Sequence, residues 1–316
     1  MCTGVRFSDD KGNMFFGRNL DWSNGYGEKV TITPREFSYN SPFLGEMHSK
    51  EGAIIGMAII EEGIPLYFDC CNEAGLGVAG LNFPHYAKYE KDAVEGKTNI
   101  AAWEFPLYIV MNFSSVEDVK AALPEMAIVS KPINEKYPVS ELHFMIADGK
   151  QSIVVEYTER GMEIFDNDVD ILTNQPGYNW HQENLRNYMN LYPRMPKEVK
   201  WNKATMKPFG SGALMRGLPG DYTSTSRFVR AAYLNTHYPV KTTEEENVSR
   251  LFHTLASVAM IDGAGEMAGG RSEITIYVGG YSAASKTYYY SLYEDLALTA
   301  VSLEDYNLDS KELLQV

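Results

Sequence analysis

Cys2 is the residue in this sequence with the clearest potential for covalent chemistry. An initiator methionine is normally removed in cells when a small residue follows it, so we expect the mature chain to begin with Cys2. The residue would then carry a thiol, with an ordinary pKa of about 8.5, and an α-amine, with one of about 7.7–8.0. Such an amine can act as the general base for its own side chain, without a histidine. The pattern allows an N-terminal nucleophile, although a cysteine after methionine, taken alone, is more often a small residue that is simply tolerated there.

The segment Phe16–Trp22 contains two charged side chains that could assist such a nucleophile. The turn cluster Asp9–Gly12 predicts a hairpin in which the strand after it pairs with the strand that begins at Cys2. Arg18 would then lie near the thiol, where a guanidinium favours the thiolate. Asp21 could accept a hydrogen bond from the α-ammonium. Taken alone, the spacing of Arg and Asp is more often that of a surface ion pair.

The composition is that of an acidic globular chain, with 316 residues and a net charge of −14. Its length fits one large domain or two small ones. The acidic balance disfavours a nucleic-acid partner, because it repels phosphate backbones. No apolar stretch reaches the roughly 18 residues that a membrane-spanning helix needs, so we expect no membrane span.

Cysteine and histidine usage argues against a metal site. The cysteines, Cys2, Cys70 and Cys71, are odd in number, and two of them are adjacent, which fits neither a disulfide framework nor a zinc site. The six histidines show no metal-ligand spacing. We therefore expect no metal and no cofactor. The N-terminus lacks the basic and apolar regions of a secretory signal, which favours a cytoplasmic location.

Hydrophobic patterning predicts many antiparallel strands interrupted by two groups of helices. The predicted strands are Val5–Phe7, Met14–Arg18, Lys29–Thr33, Ala53–Ile60, Leu66–Cys70, Gly77–Phe83, His143–Ala147, Ser152–Tyr157, Met162–Phe165, Val169–Leu172, Ile274–Val278, Thr287–Tyr293 and Thr299–Leu303. The predicted helices are Trp103–Met111, one capped by Ser114 with Glu117, one beginning at Thr225 or Ser226, and one capped by Thr243 with Glu246. No repeat or linker divides the chain, so we expect sheets covered by helices within a single domain, residues 1–316.

Blocks of sequence along the chain resemble the choloylglycine hydrolase family, and most closely its conjugated bile salt hydrolases. The blocks are Met1–Thr3, Gly17–Asp21, Asn72–Leu76, Ala79–Pro84, Leu172–Pro176 and Gly217–Phe228. They occur in order over nearly the whole chain. Each block alone would be weak evidence for the family, whereas the six together are highly specific for it. The resemblance implies an α+β fold of the N-terminal nucleophile hydrolase type, a four-layer αββα sandwich of two antiparallel sheets.

The resemblance also implies a reaction. Cys2 would attack the amide that links a steroid acid to glycine or taurine and form a thioester, with its own amine as the proton carrier. Arg18 and Asp21 match the family residues that flank the thiol and the amine. Asn82, through its backbone N–H, and Asn174, through its side-chain amide, match the donors to the oxyanion.

Arg227 matches the second active-site arginine of the family, which supports the electrostatics of the nucleophile. A cation near a helix start is unfavourable for the helix dipole, which indicates a role beyond helix stability. A steroid needs an apolar cleft with few polar contacts. By position, the candidate walls of this cleft are Leu20, Trp22, Ile133 and Tyr137; exposed-loop or core positions are the alternative.

The leading interpretation is hydrolysis of conjugated bile salts, a small-molecule substrate, by a homo-oligomer that in this family is often a tetramer. The first alternative is the same chemistry on penicillin V or another N-acyl amide, including acyl transfer to amines. Asn82 favours bile salts, because penicillin V acylases commonly carry tyrosine at that position. An alternative of another class is a non-catalytic steroid- or lipid-binding protein, in which Met1 would remain in front of Cys2.

Overall fold

The computed structural model describes residues 1–267 and 269–316. Its strands are β1 (Cys2–Ser8), β2 (Met14–Trp22), β3 (Lys29–Thr33), β4 (Ser38–Ser41), β5 (Gly45–His48), β6 (Ile54–Glu61), β7 (Ile64–Asn72), β8 (Gly77–Asn82), β9 (Thr98–Ala101), β10 (Met126–Val129), β11 (Leu142–Ala147), β12 (Ser152–Thr158), β13 (Gly161–Asp166), β14 (Ile171–Leu172), β15 (Val199–Trp201), β16 (Ala204–Met206), β17 (Glu266–Met267), β18 (Arg271–Ser272), β19 (Ile274–Ser282), β20 (Thr287–Leu292), β21 (Thr299–Ser302) and β22 (Leu314–Gln315). Its α-helices are α1 (Phe105–Asn112), α2 (Val116–Ala122), α3 (Tyr178–Asn184), α4 (Ser224–His237) and α5 (Glu244–Ala256). None of the helices in these ranges has the length and apolarity needed to cross a membrane.

Two large antiparallel sheets dominate this part of the chain. One has eight strands in the order β13-β12-β11-β8-β7-β6-β3-β22, and the other has six in the order β14-β1-β2-β19-β20-β21. Strands β1 and β2 contact β7 and β8 across the space between the sheets. The buried side chains packed there include Phe16, Leu81 and Met145. The apolar faces of the two sheets thus cover each other.

Helices cover the outer faces of both sheets. Helix α1 contacts β7 and β8, while α4 contacts β1 and α5 contacts β2 and β19. The sequence of α5 explains its position, because Val248, Leu251 and Leu255 fall on one buried stripe. The layers therefore run helix, sheet, sheet, helix, and the expected αββα sandwich is confirmed.

The β1–β2 hairpin brings the chemically interesting residues together. Its turn is stabilised by the side chain of Asp9, which accepts two backbone N–H groups at 2.8 Å each. The register pairs Cys2 with Leu20 and Gly4 with Arg18. Paired residues project from the same face of a sheet, and every second residue of a strand shares that face. Cys2 and Arg18 therefore both face the space between the sheets.

The start of α2 corrects one prediction. Ser115 has an extended backbone and its side chain accepts the N–H of Asp118 at 3.2 Å, so it is the N-cap. The predicted cap at Ser114 is wrong by one residue, because each of the two consecutive serines is followed three positions later by an acidic residue. The predicted cap of α5 is confirmed, since Thr243 accepts the N–H of Glu246.

Other boundaries also differ from the prediction, and two of them have a clear local cause. Helix α4 begins slightly earlier than predicted, at Ser224, because the side chain of Thr223 caps it. Strand β14 covers only the second half of the predicted strand Val169–Leu172. The reason is Asp170, whose φ of 57° is left-handed and incompatible with an extended strand.

Gly17 permits a close approach between β2, β19 and α5. A Cβ atom at this position would lie 2.9 Å from the Cα of Gly280 and 3.0 Å from a methyl carbon of Leu251. We expect Gly17→Ala to lower the free energy of unfolding by about 1–3 kcal/mol, because the neighbouring backbone cannot move aside as a side chain can. Urea denaturation measures this change. Gly220→Ala is the matched control, since a Cβ there meets nothing within 4 Å, and equal stability of the two variants would contradict the prediction.

Candidate active site

Cys2 stands at the start of β1, with only 3% of its surface exposed. The Nη2 atom of Arg18 donates to its Sγ at 2.7 Å. Arg18 is paired with Gly4, which has no side chain, so the guanidinium has room to lie along β1 and reach the thiol. A cation at this distance favours the thiolate form of a cysteine.

The Arg18 guanidinium is buried at a gap in the other sheet. Its Nη1 donates to the carbonyls of Phe68, at 3.0 Å, and Gly80, at 2.7 Å. The pairing of β7 with β8 ends at Asp69 and Ala79. Phe68 on β7 and Gly80 on β8 are the next residues beyond that pair. Burial alone would lower the pKa of Arg18, but the charges of Cys2 and other neighbours outweigh it and raise that pKa above its usual value.

Asp69 supplies a buried negative charge behind Arg18. Its carboxylate accepts from the hydroxyl of Tyr277 at 2.5 Å and from that of Tyr288 at 2.6 Å. Burial raises the pKa of Asp69, while Arg18 and the two hydroxyls oppose that rise. Sequence reasoning missed this cluster, because Tyr277 lies 208 residues from Asp69 and no local spacing links them.

Asn174 and Arg227 enclose Cys2 from the opposite side. The Oδ1 atom of Asn174 accepts from the Cys2 backbone nitrogen at 2.8 Å and from Arg227 Nη2 at 2.7 Å. Its Nδ2 donates to the carbonyl of Asn82 at 2.6 Å. Arg227, which is fully buried in the first turn of α4, also donates to the Cys2 carbonyl at 2.6 Å. Three residues that lie far apart in the sequence thus meet at the nucleophile candidate.

The backbone N–H of Asn82 points toward the same place. The neighbouring Phe83 donates to the carbonyl of Glu141 at 2.7 Å and so belongs to a hydrogen-bonded pair. Such pairs alternate along antiparallel strands, so the N–H and C=O of Asn82 point away from β11. On that side the pairing with β7 ends at Ala79. The C=O of Asn82 is bonded to Asn174, and its N–H faces the cleft that Asn82 lines.

Asp21 lies next to the N-terminal residues. Its Oδ1 accepts from Thr275 at 2.6 Å, and its backbone N–H donates to the carbonyl of Met1 at 2.9 Å. Its Oδ2 has no hydrogen-bond partner among the described residues and lies 3.8 Å from Arg227 Nη1. With Met1 in place, the Cys2 nitrogen is a peptide N–H, and the α-ammonium of Met1 donates to the backbone carbonyl of Asp21 at 2.7 Å, whereas the prediction was a bond to the α-ammonium of Cys2.

A cleft of about 490 Å³ opens beside the Cys2 thiol. The structure brings all four predicted wall residues to it: Leu20, Trp22, Ile133 and Tyr137. Walls that sequence reasoning missed include Tyr26, Phe68, Trp103, Val139 and Leu142. They come from separate strands and loops, so no local pattern marks them. Within the described ranges, no group of three His, Cys, Asp or Glu side chains could hold a metal ion.

A cysteine at the start of an interior strand, within two antiparallel sheets between helices, is the arrangement of an N-terminal nucleophile hydrolase. The family model for linear amide C–N hydrolases, choloylglycine hydrolase family, matches residues 2–316. The chain therefore belongs to the choloylglycine hydrolase family.

Individual relatives match over the full length. The chain is 49% identical over 316 residues to the bile salt hydrolase/transferase of Bifidobacterium longum subsp. longum. This alignment covers 100% of this chain and 99% of that protein. It is 45% identical over 315 residues to the conjugated bile acid hydrolase of Lactobacillus acidophilus, with 99% of each chain covered. A crystal structure of a variant of the conjugated bile acid hydrolase from Clostridium perfringens matches with a TM-score of 0.93 and 37% identity, covering 100% of this chain and 96% of that one.

The rate at which iodoacetamide alkylates Cys2 tests the effect of Arg18 on the thiol. We expect Arg18→Gln to slow alkylation at pH 7 by at least about tenfold, and Arg18→Lys to slow it less, because only lysine keeps the cation. Burial raises the pKa of the Cys70 and Cys71 thiols well above the ordinary value, so they stay unreactive. Arg160→Gln, at an exposed position, is the control. An unchanged rate in Arg18→Gln would contradict the electrostatic role.

Proposed function

We propose that the protein hydrolyses the amide bond of glycine- or taurine-conjugated bile salts and releases the free bile acid and the amino acid. The observation that carries the proposal is the Cys2 thiol, bonded to a buried Arg18 at the polar end of a largely apolar cleft. A conjugated bile salt has a matching form, since a rigid apolar body is joined through one amide to a short polar tail. The names of full-length relatives at 45% and 49% identity support the same substrates.

In the proposed reaction, removal of Met1 first turns the Cys2 nitrogen into an amine. Asn174 Oδ1 already accepts from this nitrogen at 2.8 Å, and Asp21 Oδ2, unpartnered within the described part of the chain, offers a second acceptor for the ammonium form. The amine takes the thiol proton, Sγ attacks the amide carbon, and the carbonyl oxygen becomes an oxyanion. The N–H of Asn82 and the second hydrogen on Asn174 Nδ2 donate to that oxyanion.

The protonated amine then donates to the leaving nitrogen of glycine or taurine. The C–N bond breaks and leaves a thioester on Cys2. The same amine next activates a water molecule, which attacks the thioester and releases the bile acid. Arg18 stabilises negative charge on the sulfur, and Arg227 holds the Cys2 carbonyl and the Asn174 amide in position throughout.

The steroid body would contact four apolar walls in this proposal. Leu20 and Trp22 follow Arg18 on β2, and Leu20 is paired with Cys2 in the β1–β2 register. Ile133 and Tyr137 come from the loop 130–141 and line the same cleft. This arrangement supports a binding mode in which the apolar body lies along these walls and the polar end faces the thiol.

Acyl transfer to an amine is a second candidate activity. The Bifidobacterium relative is named a hydrolase/transferase, and a thioester accepts an amine in place of water by the same attack on carbon. Hydrolysis of penicillin V or another N-acyl amide uses the same nucleophile and differs only in what the cleft binds. A non-catalytic carrier has less support, because a carrier gains nothing from a buried cation bonded to a thiol.

We also propose that residues 1–316 act as one domain, as a homotetramer in the cytoplasm. Both buried clusters draw on the eight-stranded sheet, which supports a single domain. Exposed apolar side chains lie between α3 and α4 and favour contact with a second copy: Met189, Met195, Trp201 and Phe209. The three cysteines are free thiols, as is typical of a reducing compartment.

Amine release from glycocholate, taurocholate and penicillin V, measured side by side, tests the proposed function. The protein used is one whose intact mass shows that Met1 has been removed. We expect glycine and taurine to be released, and no release by a Cys2→Ala variant. Release from penicillin V alone would assign the protein to the acylases. Binding of bile salts without release from any substrate would reject the hydrolase and favour a carrier.

The oxyanion role of Asn174 predicts a specific kinetic effect. We expect Asn174→Ala to lower kcat about 10²–10³-fold, because one donor to the developing negative charge is lost. KM should change little, since that charge is absent from the bound substrate. Asn187→Ala, at an exposed position after α3, is the control for an asparagine that does not touch the site. An increase in KM with unchanged kcat would contradict the role.

A further inference from the structure

Two buried histidines lie directly behind Asn174. His143 on β11 and His181 on α3 both have 0% exposure. The Nε2 of His143 lies 2.9 Å from the carbonyl oxygen of Thr173, and the Nε2 of His181 lies 3.0 Å from that of Asn174. A carbonyl oxygen only accepts, so in both rings Nε2 carries a hydrogen and donates it. Two consecutive carbonyls of the loop that carries the oxyanion donor are thus held by imidazole rings.

Each of these rings also stacks on a phenylalanine that adjoins the site. His143 stacks on Phe83, which follows the proposed oxyanion donor of β8, with ring centroids 4.1 Å apart and planes at 9°. His181 stacks on Phe228, which follows the buried arginine of α4, with centroids 4.5 Å apart and planes at 18°. The histidines therefore join the loop of Asn174 to both neighbouring parts of the site.

Glu156 links the two histidines. Its Oε1 lies 3.1 Å from His143 Nδ1 and accepts the backbone N–H of Tyr178 at 2.9 Å. Tyr178 begins α3, the helix that carries His181. Glu156 thus fixes His143 directly and His181 through its helix.

His181 donates as a neutral ring. Burial lowers its pKa to about 4, so the ring is uncharged near pH 7 and carries its hydrogen on Nε2. Its Nδ1 has no hydrogen-bond partner among the residues that the structure describes. A neutral donor holds the Asn174 carbonyl without placing a second buried cation near Arg227.

We propose that His143 and His181 are positioning residues, which fix the backbone of Thr173 and Asn174 so that the Asn174 side chain points at the oxyanion. On the other side of the loop, the N–H of Asn174 donates to the hydroxyl of Ser224 at 2.9 Å, so its peptide groups are held from two directions. The histidines themselves do not touch the substrate. The inference rests on the proposed role of Asn174, but not on which amide the protein cleaves.

Two reactions of the Cys2 thiol separate this role from a general effect on the fold. In acylation by p-nitrophenyl acetate, Sγ bonds to the carbonyl carbon, the carbonyl electron pair moves to oxygen as an oxyanion, and p-nitrophenolate then leaves; the thiol proton passes to the Cys2 amine. In alkylation by iodoacetamide, Sγ bonds to carbon and iodide leaves without any oxyanion. Only the first reaction forms an oxyanion that the Asn174 side-chain N–H can stabilise.

Substitutions at His181 provide matched variants. His181→Phe keeps a ring to stack on Phe228 but removes the N–H, whereas the amide nitrogen of His181→Gln falls near the position of Nε2. We expect His181→Phe to slow acylation about 10- to 100-fold, as a small misplacement of a catalytic group does. Alkylation should be unchanged, and His181→Gln should restore acylation to nearly the rate of the unsubstituted protein.

Several results would overturn the inference. These are unchanged acylation in a folded His181→Phe variant, an equal loss of both rates, failure of His181→Gln to restore acylation, or a parent protein that is alkylated but never acylated. If His181→Phe does not fold, His181→Asn takes its place. Asparagine carries the same amide group as glutamine, but its side chain is shorter and cannot reach the Asn174 carbonyl. Amine release from bile salts tests the proposed function separately, since the activated ester acylates Cys2 whatever the natural substrate is.

Discussion

Two guanidinium groups with no exposure to solvent, those of Arg18 and Arg227, impose the main constraint on this structure. A buried cation is costly unless hydrogen bonds and opposite charges compensate for lost hydration. The hydrogen-bond partners of Arg18 are carbonyls and the Cys2 sulfur, and its counter-charge, Asp69, is bonded to two tyrosine hydroxyls behind it. The positive charge is therefore directed at the sulfur and not consumed by a carboxylate in direct contact.

The same constraint explains where the regular structure is interrupted. The β7–β8 ladder stops after Asp69 and Ala79, and the next two carbonyls bond to Arg18 in place of strand partners. Since β7 no longer pairs with the end of β8, the N–H of Asn82 is left facing the cleft. One gap in a sheet thus accommodates the cation, opens the cleft and directs a donor into it. These three features need no separate explanation.

Sequence analysis could predict the contacts between residues that are close together in the chain, but not those between residues that are far apart. A turn cluster between two short strand-like segments was sufficient to predict the hairpin that pairs Arg18 with the strand of Cys2, and a chain-long resemblance supplied Asn82, Asn174 and Arg227. Buried partners such as Asp69 and His181 were missed, because a carboxylate on a strand or a histidine on a short helix has no distinctive spacing. Their meaning depends on which carbonyl or hydroxyl the fold brings opposite to them, and that is a property of the packed sheets.

The site also divides into a rigid half and an adaptable half. All four polar groups of Asn174 have buried or nearly buried hydrogen-bond partners: the side-chain oxygen, the side-chain nitrogen, the backbone N–H and the backbone carbonyl. Several hydrogen bonds therefore hold this residue in one position. The loop 130–141 is held differently, through contacts such as that of Lys136 Nζ with Glu61 at 3.3 Å, in which the lysine side chain is 67% exposed. Exposed ion pairs of this kind contribute little to stability and weaken in salt. The apolar wall can therefore change its shape or sequence at small energetic cost, while Cys2, Asn82 and Asn174 keep their geometry. Under the proposed function, the residues that bind the apolar body are thus separate from those that react, so the same reactive residues could act on amides that differ only in the group that the cleft encloses.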